Sequence, residues 1–364
     1  MDLARSTSRI QRTAGIRNRP KKPGTILGAQ ANFSRNSNQM VNRKYIASIV
    51  LLIASSMLVR GQLLPTYGEE RAGLSAFTFL KLPIDPASVG VGGASLAMTE
   101  HSFGALVNPA LVSGGNQQGF FTSNRALGGG ISHDFIALTK ARANGQHIAL
   151  TLNSLSTGSI LERTVWQPEG TGATTAATLT SVGLGISQAF SEYFHAGMQL
   201  KYGLEQLGVY RAHNVYLDLG FLYKLDIADL QFAAALTNFG PNTPISNLPV
   251  GDESALAATP QMFSMGLQWT AWESGNQKLT PSFQLNHPTD NAEYYAAGLK
   301  YQWRSYYWTS MGYQVGSQKS MPWMGFGMKG QIGGWPMEWG VGAMPTPYGT
   351  YQGTLGLKLK PLSW

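Results

Sequence analysis

Few residues of this 364-residue chain could do covalent chemistry. His133-Asp134, with one of many serines, suggests a Ser-His-acid hydrolase, in which a carboxylate orients the histidine and the histidine takes the hydroxyl proton. The two are adjacent in an alternating stretch, and neighbours on a strand point to opposite faces, so neither can orient the other. The six histidines (101, 133, 147, 195, 213 and 287) form no HExxH and no pair at ligand spacing. Gly90-Val91-Gly92-Gly93 looks like a phosphate cradle, yet it lacks the third glycine of GxGxxG, the Lys-Ser/Thr of a P-loop and a βαβ setting. The chain has no cysteine, which removes thiolate metal sites and disulfides and suits an oxidising envelope compartment. These residues predict no catalytic group, no metal and no cofactor, hence no enzyme. The remaining candidates are Glu205, Asp218, Lys201 and Lys224, either selectivity-tuning charges in a lumen or ordinary solvated ones.

The elements that must position them are strands. Between 193 and 206, Phe194, Ala196, Met198, Leu200, Tyr202 and Leu204 alternate with His195, Gly197, Gln199, Lys201, Gly203 and Glu205. An apolar face opposite a polar one, over this length, fits a tilted strand crossing a bilayer. The period of two recurs in fourteen segments, from 117–124 to 353–360, joined alternately by short turns and longer loops, above all 156–178 and 239–260. Helical spacing fits none of them as well. The expectation is an all-β, fourteen-stranded antiparallel up-and-down outer-membrane barrel over 117–364. Eight of the nine tryptophans lie at or beyond residue 269, near expected strand ends, where aromatic girdles form.

The formal charge of +8 is misleading. Residues 1–61 hold eleven Lys/Arg and one acid, leaving sixteen basic and eighteen acidic residues after them. The argument for a nucleic-acid partner therefore fails. Residues 40–61 read as a signal peptide, a basic start followed by an apolar run of about 15 residues, short for a spanning helix, with cleavage between Gly61 and Gln62. Residues 1–39 read as a disordered basic extension or a mis-assigned start.

Between signal and strands, 62–116 is small and turn-rich. Phe79-Leu80-Lys81-Leu82-Pro83, then Gly90-Val91-Gly92-Gly93-Ala94, then Asn108-Pro109-Ala110-Leu111 resemble the N-terminal signature of the PorV/PorQ family. The resemblance covers about thirty residues; later only strand spacing agrees. It implies a FadL-like barrel with this segment plugging the lumen, and a non-enzymatic role in type IX secretion. That role is a PorV-like shuttle binding the C-terminal domain of secreted cargo, or a PorQ-like anchor for an attachment-complex partner at the cell surface. Family members often carry an acidic-Ala-Arg sequence where this chain has Asp85-Pro86-Ala87-Ser88, so a contact made by that arginine is in doubt. The alternative is a FadL-like transporter of hydrophobic small molecules, with the segment as a hatch. A transporter predicts an apolar pocket in the lumen; secretion predicts a polar lumen and an exposed apolar patch on the external loops. Either role implies contact with outer-membrane lipid and lipopolysaccharide.

Overall fold

The computed structural model describes residues 73–100, 103–247, 256–316, 321–346 and 349–360. The 1–39 extension, the 40–61 signal, the Gly61/Gln62 cleavage point and the start of the 62–116 segment lie outside them.

Fourteen antiparallel strands close into a barrel. They are β1 (Gly119–Gly128), β2 (Ile131–Ala141), β3 (Gln146–Ser156), β4 (Ala177–Ala189), β5 (Phe194–Leu207), β6 (Tyr210–Lys224) and β7 (Gln231–Phe239). They continue with β8 (Met262–Gln268), β9 (Gln277–Pro288), β10 (Tyr294–Trp303), β11 (Tyr307–Val315), β12 (Trp323–Ile332), β13 (Trp335–Pro345) and β14 (Tyr351–Leu359). Each pairs with its sequence neighbour, and β1 pairs with β14 from Phe120↔Leu359 to Ala126↔Gly353, so the sheet keeps no long free edge. Register shifts interrupt the ladder at Ala126/Gly128 and, between β6 and β7, at Leu217/Leu219.

The alternation read in β5 sorts the two faces. Met198, Leu200, Tyr202 and Leu204 are exposed, whereas His195, Gln199 and Gly203 are buried. Leu150, Leu152, Val182, Leu184, Met311, Phe326 and Leu355 continue the apolar exterior on other strands. A wall greasy outside and polar inside, with every backbone group paired strand to strand, is the arrangement a bilayer selects. Exposed Trp303, Tyr306, Tyr307, Trp335 and Trp339 gather at one rim as a girdle. Trp308 and Trp323 depart from that expectation. Each takes an inward phase on its strand and is 3% and 1% exposed. Trp308 donates Nε1 to Glu338 at 3.0 Å, and Trp323 packs on Val89 and Met344.

The rim that carries both barrel termini has the short connections, 142–145, 190–193, 225–230, 304–306 and 333–334, which is the periplasmic end in barrels of this kind. The opposite, outer rim carries the two long connections. One holds a small hairpin, Ile160–Leu161 paired with Thr174–Thr175.

Candidate functional site

The interior of the barrel is filled by the chain's own residues 73–118. At the outer end Ser75 bridges Ala258, and Phe77 donates its amide to Glu205 Oε2 at 2.8 Å. The Phe77 ring stands edge-on to Tyr216 at 5.4 Å. A 3-10 turn, Thr78–Lys81, buries Phe79 and Leu80, with Phe79 edge-on to His133 at 6.2 Å, while Lys81 forms an ion pair with Asp290. Arg125 Nη1 then donates to the Pro83 carbonyl at 2.6 Å. Its Nε and Nη2 have no hydrogen-bond partner among the described residues.

Asp85 caps the helical turn α1 (Pro86–Gly90), accepting from the Ser88 amide at 2.8 Å, with proline at the first position, where no amide is needed. α1 and the next residues lie on wall glycines. A Cβ on Gly325 would fall 2.9 Å from Gly90 Cα, one on Gly356 2.7 Å from the Pro86 ring, and one on Gly298 2.4 Å from Val91 Cβ. Gly90 has no room of its own, since a Cβ there would sit 2.0 Å from Ser310 Oγ. Gly92 and Gly93 turn the chain at φ +70° and +85°, and Gln314 holds the Gly92 carbonyl at 2.8 Å. Leu96 then donates its amide to Gln284 at 3.0 Å.

After α2 (Gly104–Val107), Asn108 fastens the segment to the opposite arc. It is fully buried and donates Nδ2 to the carbonyls of Leu96 and Phe221, both at 3.2 Å, while its Oδ1 accepts from the Ala110 amide at 3.0 Å. A Cβ on Gly220 would meet Asn108 Oδ1 at 2.0 Å, and one on Gly197 would meet the Pro109 carbonyl carbon at 2.5 Å. α3 (Leu111–Gly114) follows, its Gly114 carbonyl held by Lys224 at 2.6 Å. The structure thus brings Phe79, Leu80, Pro83, Gly90, Gly92, Gly93, Asn108, Pro109 and Ala110 into one continuous interior element. Sequence reasoning missed their wall-side counterparts, the inward glycines. The available signal was glycine recurring every second residue, as in Gly325-Phe326-Gly327 and Gly340-Val341-Gly342.

The charged candidates hold this arrangement together. Lys201 pairs with Asp218 at 2.7 Å, and Asp218 also accepts from the Asn238 amide at 2.7 Å beside the β6/β7 register shift. Glu100, on the inner segment, pairs with Lys300 at 3.3 Å and Lys278 at 3.7 Å. The Lys300 ammonium holds its carboxyl down at about 2, with help from Lys278 and Lys329, against the upward push of burial. His133 is fully buried and bonded to Asn153 at 2.7 Å, while Asp134 lies outside and bonds Asn124. The strand phase has therefore parted the two residues of the suspected dyad. Ser113 does approach His195 Nδ1, at 3.4 Å, but the neighbour beyond it is Ser187 rather than a carboxylate. Among the described residues no group of three metal-ligating side chains occurs.

Three spaces remain. Between inner segment and wall, beside Leu80, Leu106, Lys201, Met262 and Tyr294, lies a cavity of about 70 Å³, room for a few waters. At the outer rim, about 290 Å³ is lined by Leu74, Ala76, Leu207, Tyr210, Ile245 and Leu256. At the periplasmic end a vestibule of about 870 Å³ opens beneath the inner segment.

Neither a family model nor a curated protein matches the chain. Solved structures do match in fold. The toluene transporter TbuX of Ralstonia pickettii is 11% identical with a TM-score of 0.50, over 77% of this chain and 98% of that one. The CymD monoaromatic hydrocarbon channel is 9% identical with the same TM-score and the same coverage of each chain. A FadL homologue of Pseudomonas aeruginosa lies further off, 9% identical at a TM-score of 0.41, over 76% of this chain and 97% of that one. The architecture is that of a FadL-like outer-membrane β-barrel, and the similarity does not single out the PorV/PorQ branch.

Proposed function

We propose that this outer-membrane barrel is a gated, non-enzymatic passage for small apolar molecules, with residues 73–118 as the gate. The observation that carries the reading is the outer-rim cavity of about 290 Å³, which lies at the small end of ligand-site sizes and is lined largely by apolar side chains. Its walls include the first residues of the inner segment, Leu74 to Ala76, and also Glu205, which holds the Phe77 amide. A ligand entering there meets the end of the gate directly. The likeness in fold to toluene and monoaromatic channels supports the same reading. The space beyond, about 70 Å³, is too small for a ligand, so passage requires the segment to move. The greasy exterior would contact membrane lipid and, at the outer rim, lipopolysaccharide.

The test locks the gate. An ideal Cβ on Gly342 lies 3.1 Å from Val89 Cβ, close to disulfide range, and the chain has no other cysteine. Proteoliposomes carrying Val89→Cys/Gly342→Cys should take up radiolabelled toluene only after reduction, while wild type does so under both conditions. Uptake no faster than in empty liposomes, or indifferent to the crosslink, would refute the reading.

One observation favours a second reading, protein binding at the cell surface within a secretion apparatus, as the PorV/PorQ resemblance implies. Val165 and Trp166, in the loop enclosed by the outer hairpin, are each 92% exposed, and anchors of this kind are enriched at interfaces. Pull-down from solubilised outer membranes should then recover secretion proteins with wild type and lose them with Trp166→Ser. Recovery of none with wild type removes this reading.

A further inference from the structure

The periplasmic vestibule contains an electrostatic arrangement that neither transport nor protein docking uses. Lys329 on β12, Glu338 on β13 and Lys358 on β14 are cross-strand partners at one level of the wall, Lys329↔Glu338 and Glu338↔Lys358, all facing inward. Three charges alternating in this way would ordinarily satisfy one another. Here the Glu338 carboxylate is taken by the Trp308 indole at 3.0 Å, and neither lysine has a carboxylate within 4.0 Å among the described residues. The other vestibule carboxylate, Glu100, is engaged by Lys300 and Lys278.

Lys358 is the telling case. Its side chain is 7% exposed, its ammonium lies 5.3 Å from the centroid of the Phe121 ring, and the space it borders is the vestibule itself. A buried ammonium is costly unless something anionic compensates it, and a ring face compensates only in part. Lys360 adds a third ammonium to the same cavity, which holds no arginine. Several ammonium point charges without the planar guanidinium fork suit a compact, multiply charged oxyanion better than a lone carboxylate.

We infer that the vestibule is a binding site for a phosphate group, held by Lys329, Lys358 and Lys360. At neutral pH a phosphate monoester carries roughly −1.5 to −2 charge, which matches the ammonium excess left once Glu338 is occupied by the indole. The site is independent of what crosses the barrel, so its failure would leave the transport reading untouched. The group's source is either a free phosphate or the headgroup of a membrane lipid.

The experiment uses the full chain in maltoside micelles, with binding followed by calorimetry at constant ionic strength. Inorganic phosphate, sodium acetate and a short-chain phosphatidate are the three titrants. Lys358→Met should weaken phosphate binding by about tenfold or more and Lys329→Gln by less, since Lys358 is the more buried. Lys140→Gln removes a positive charge from the outer face and should leave binding within about twofold. Heat-modifiable mobility on electrophoresis reports whether each variant is folded. Binding of both phosphate compounds supports a site for free phosphate, and binding of phosphatidate alone supports a lipid headgroup. No phosphate binding by either probe, acetate binding as tightly as phosphate, or an equal loss in Lys140→Gln would overturn the inference.

Discussion

Gly312→Ala isolates the seat of the inner segment from every other source of barrel stability. Gly312 lies on β11 with ordinary strand dihedrals, so alanine brings no backbone conflict of its own. Its new Cβ would fall 2.0 Å from the Val91 carbonyl carbon and 2.2 Å from the Gly92 nitrogen, both backbone atoms that no rotamer change can move. Restoring ordinary contact at 3.4 Å requires a shift of about 1.4 Å between segment and wall. A shift of that size pulls Val91, fully buried with Ala94, Met98 and Ala296, partly out of its cluster. Overpacking of this kind costs about 1–3 kcal/mol, and each 1.4 kcal/mol or so is a factor of ten. Hydrogen exchange at the Val91, Gly92 and Gly93 amides, which bond Ala87, Val89 and Ser88 carbonyls at 3.3, 2.9 and 2.8 Å, should accelerate by about ten- to a hundredfold. Gly353→Ala, with nothing within 4 Å of its Cβ, should match wild type. If exchange over these amides is the same in both variants, the inner segment does not rest on β11 and the glycine-seat argument fails.

Asn108→Ala removes three buried hydrogen bonds while the carbonyls of Leu96 and Phe221 stay buried. It should loosen the 104–114 region by about 1–3 kcal/mol, read as faster exchange there with unchanged heat-modifiability of the barrel. The Glu100 contact carries a pH signature. Its folded value of about 2 lies below the ordinary 4.5, so its contribution is complete above about pH 4.5 and is lost as pH falls through about 2. Exchange in the inner segment should therefore stay flat from about pH 8 to pH 5 and rise only in stronger acid, once the intrinsic pH dependence is removed. Glu100→Gln should abolish that acid step and raise exchange at every pH.

Barrel, strand count and strand phase were legible because each rests on a local pattern of period two. Met198, Leu200, Tyr202 and Leu204 declare a lipid face without reference to any distant residue. The inner segment was legible as something different, being rich in Gly, Pro and Asn at turn positions, yet its seating was not. That Gly220 must lack a Cβ because Asn108 lies on it is a fact about residues more than a hundred positions apart, and alternation says only that Gly220 points inward. The tryptophans failed for a related reason. Composition placed them near strand ends, but parity sent Trp308 and Trp323 inward, where one serves Glu338 and the other packs on Val89. The vestibule lysines went unmarked because Lys329 and Lys358 become neighbours only through the pairing of β12, β13 and β14.

The two ends of the inner segment are held by different kinds of contact, and the difference bears on gating. From Pro86 to Gly92 it lies on the glycines of β10 to β14, and at Asn108 to Ala110 on those of β5 and β6, so the central portion crosses the lumen between two opposed seats. Both seats depend on close backbone approach, which gains dispersion over many atoms and is lost all at once when the surfaces part. The outer limb, 73–84, is held by separable contacts: one amide on Glu205, one ring on Tyr216, and the Lys81–Asp290 pair. Such contacts can be exchanged one at a time for contacts with a ligand or water. The rim cavity adjoins that limb, with Leu74 and Ala76 in its wall. An apolar ligand there competes for the surface that buries Phe77 and can free the outer limb while both glycine seats stay closed. A small molecule can supply only a small differential affinity, enough to shift a limb held by a few contacts but not to unseat the whole segment at once.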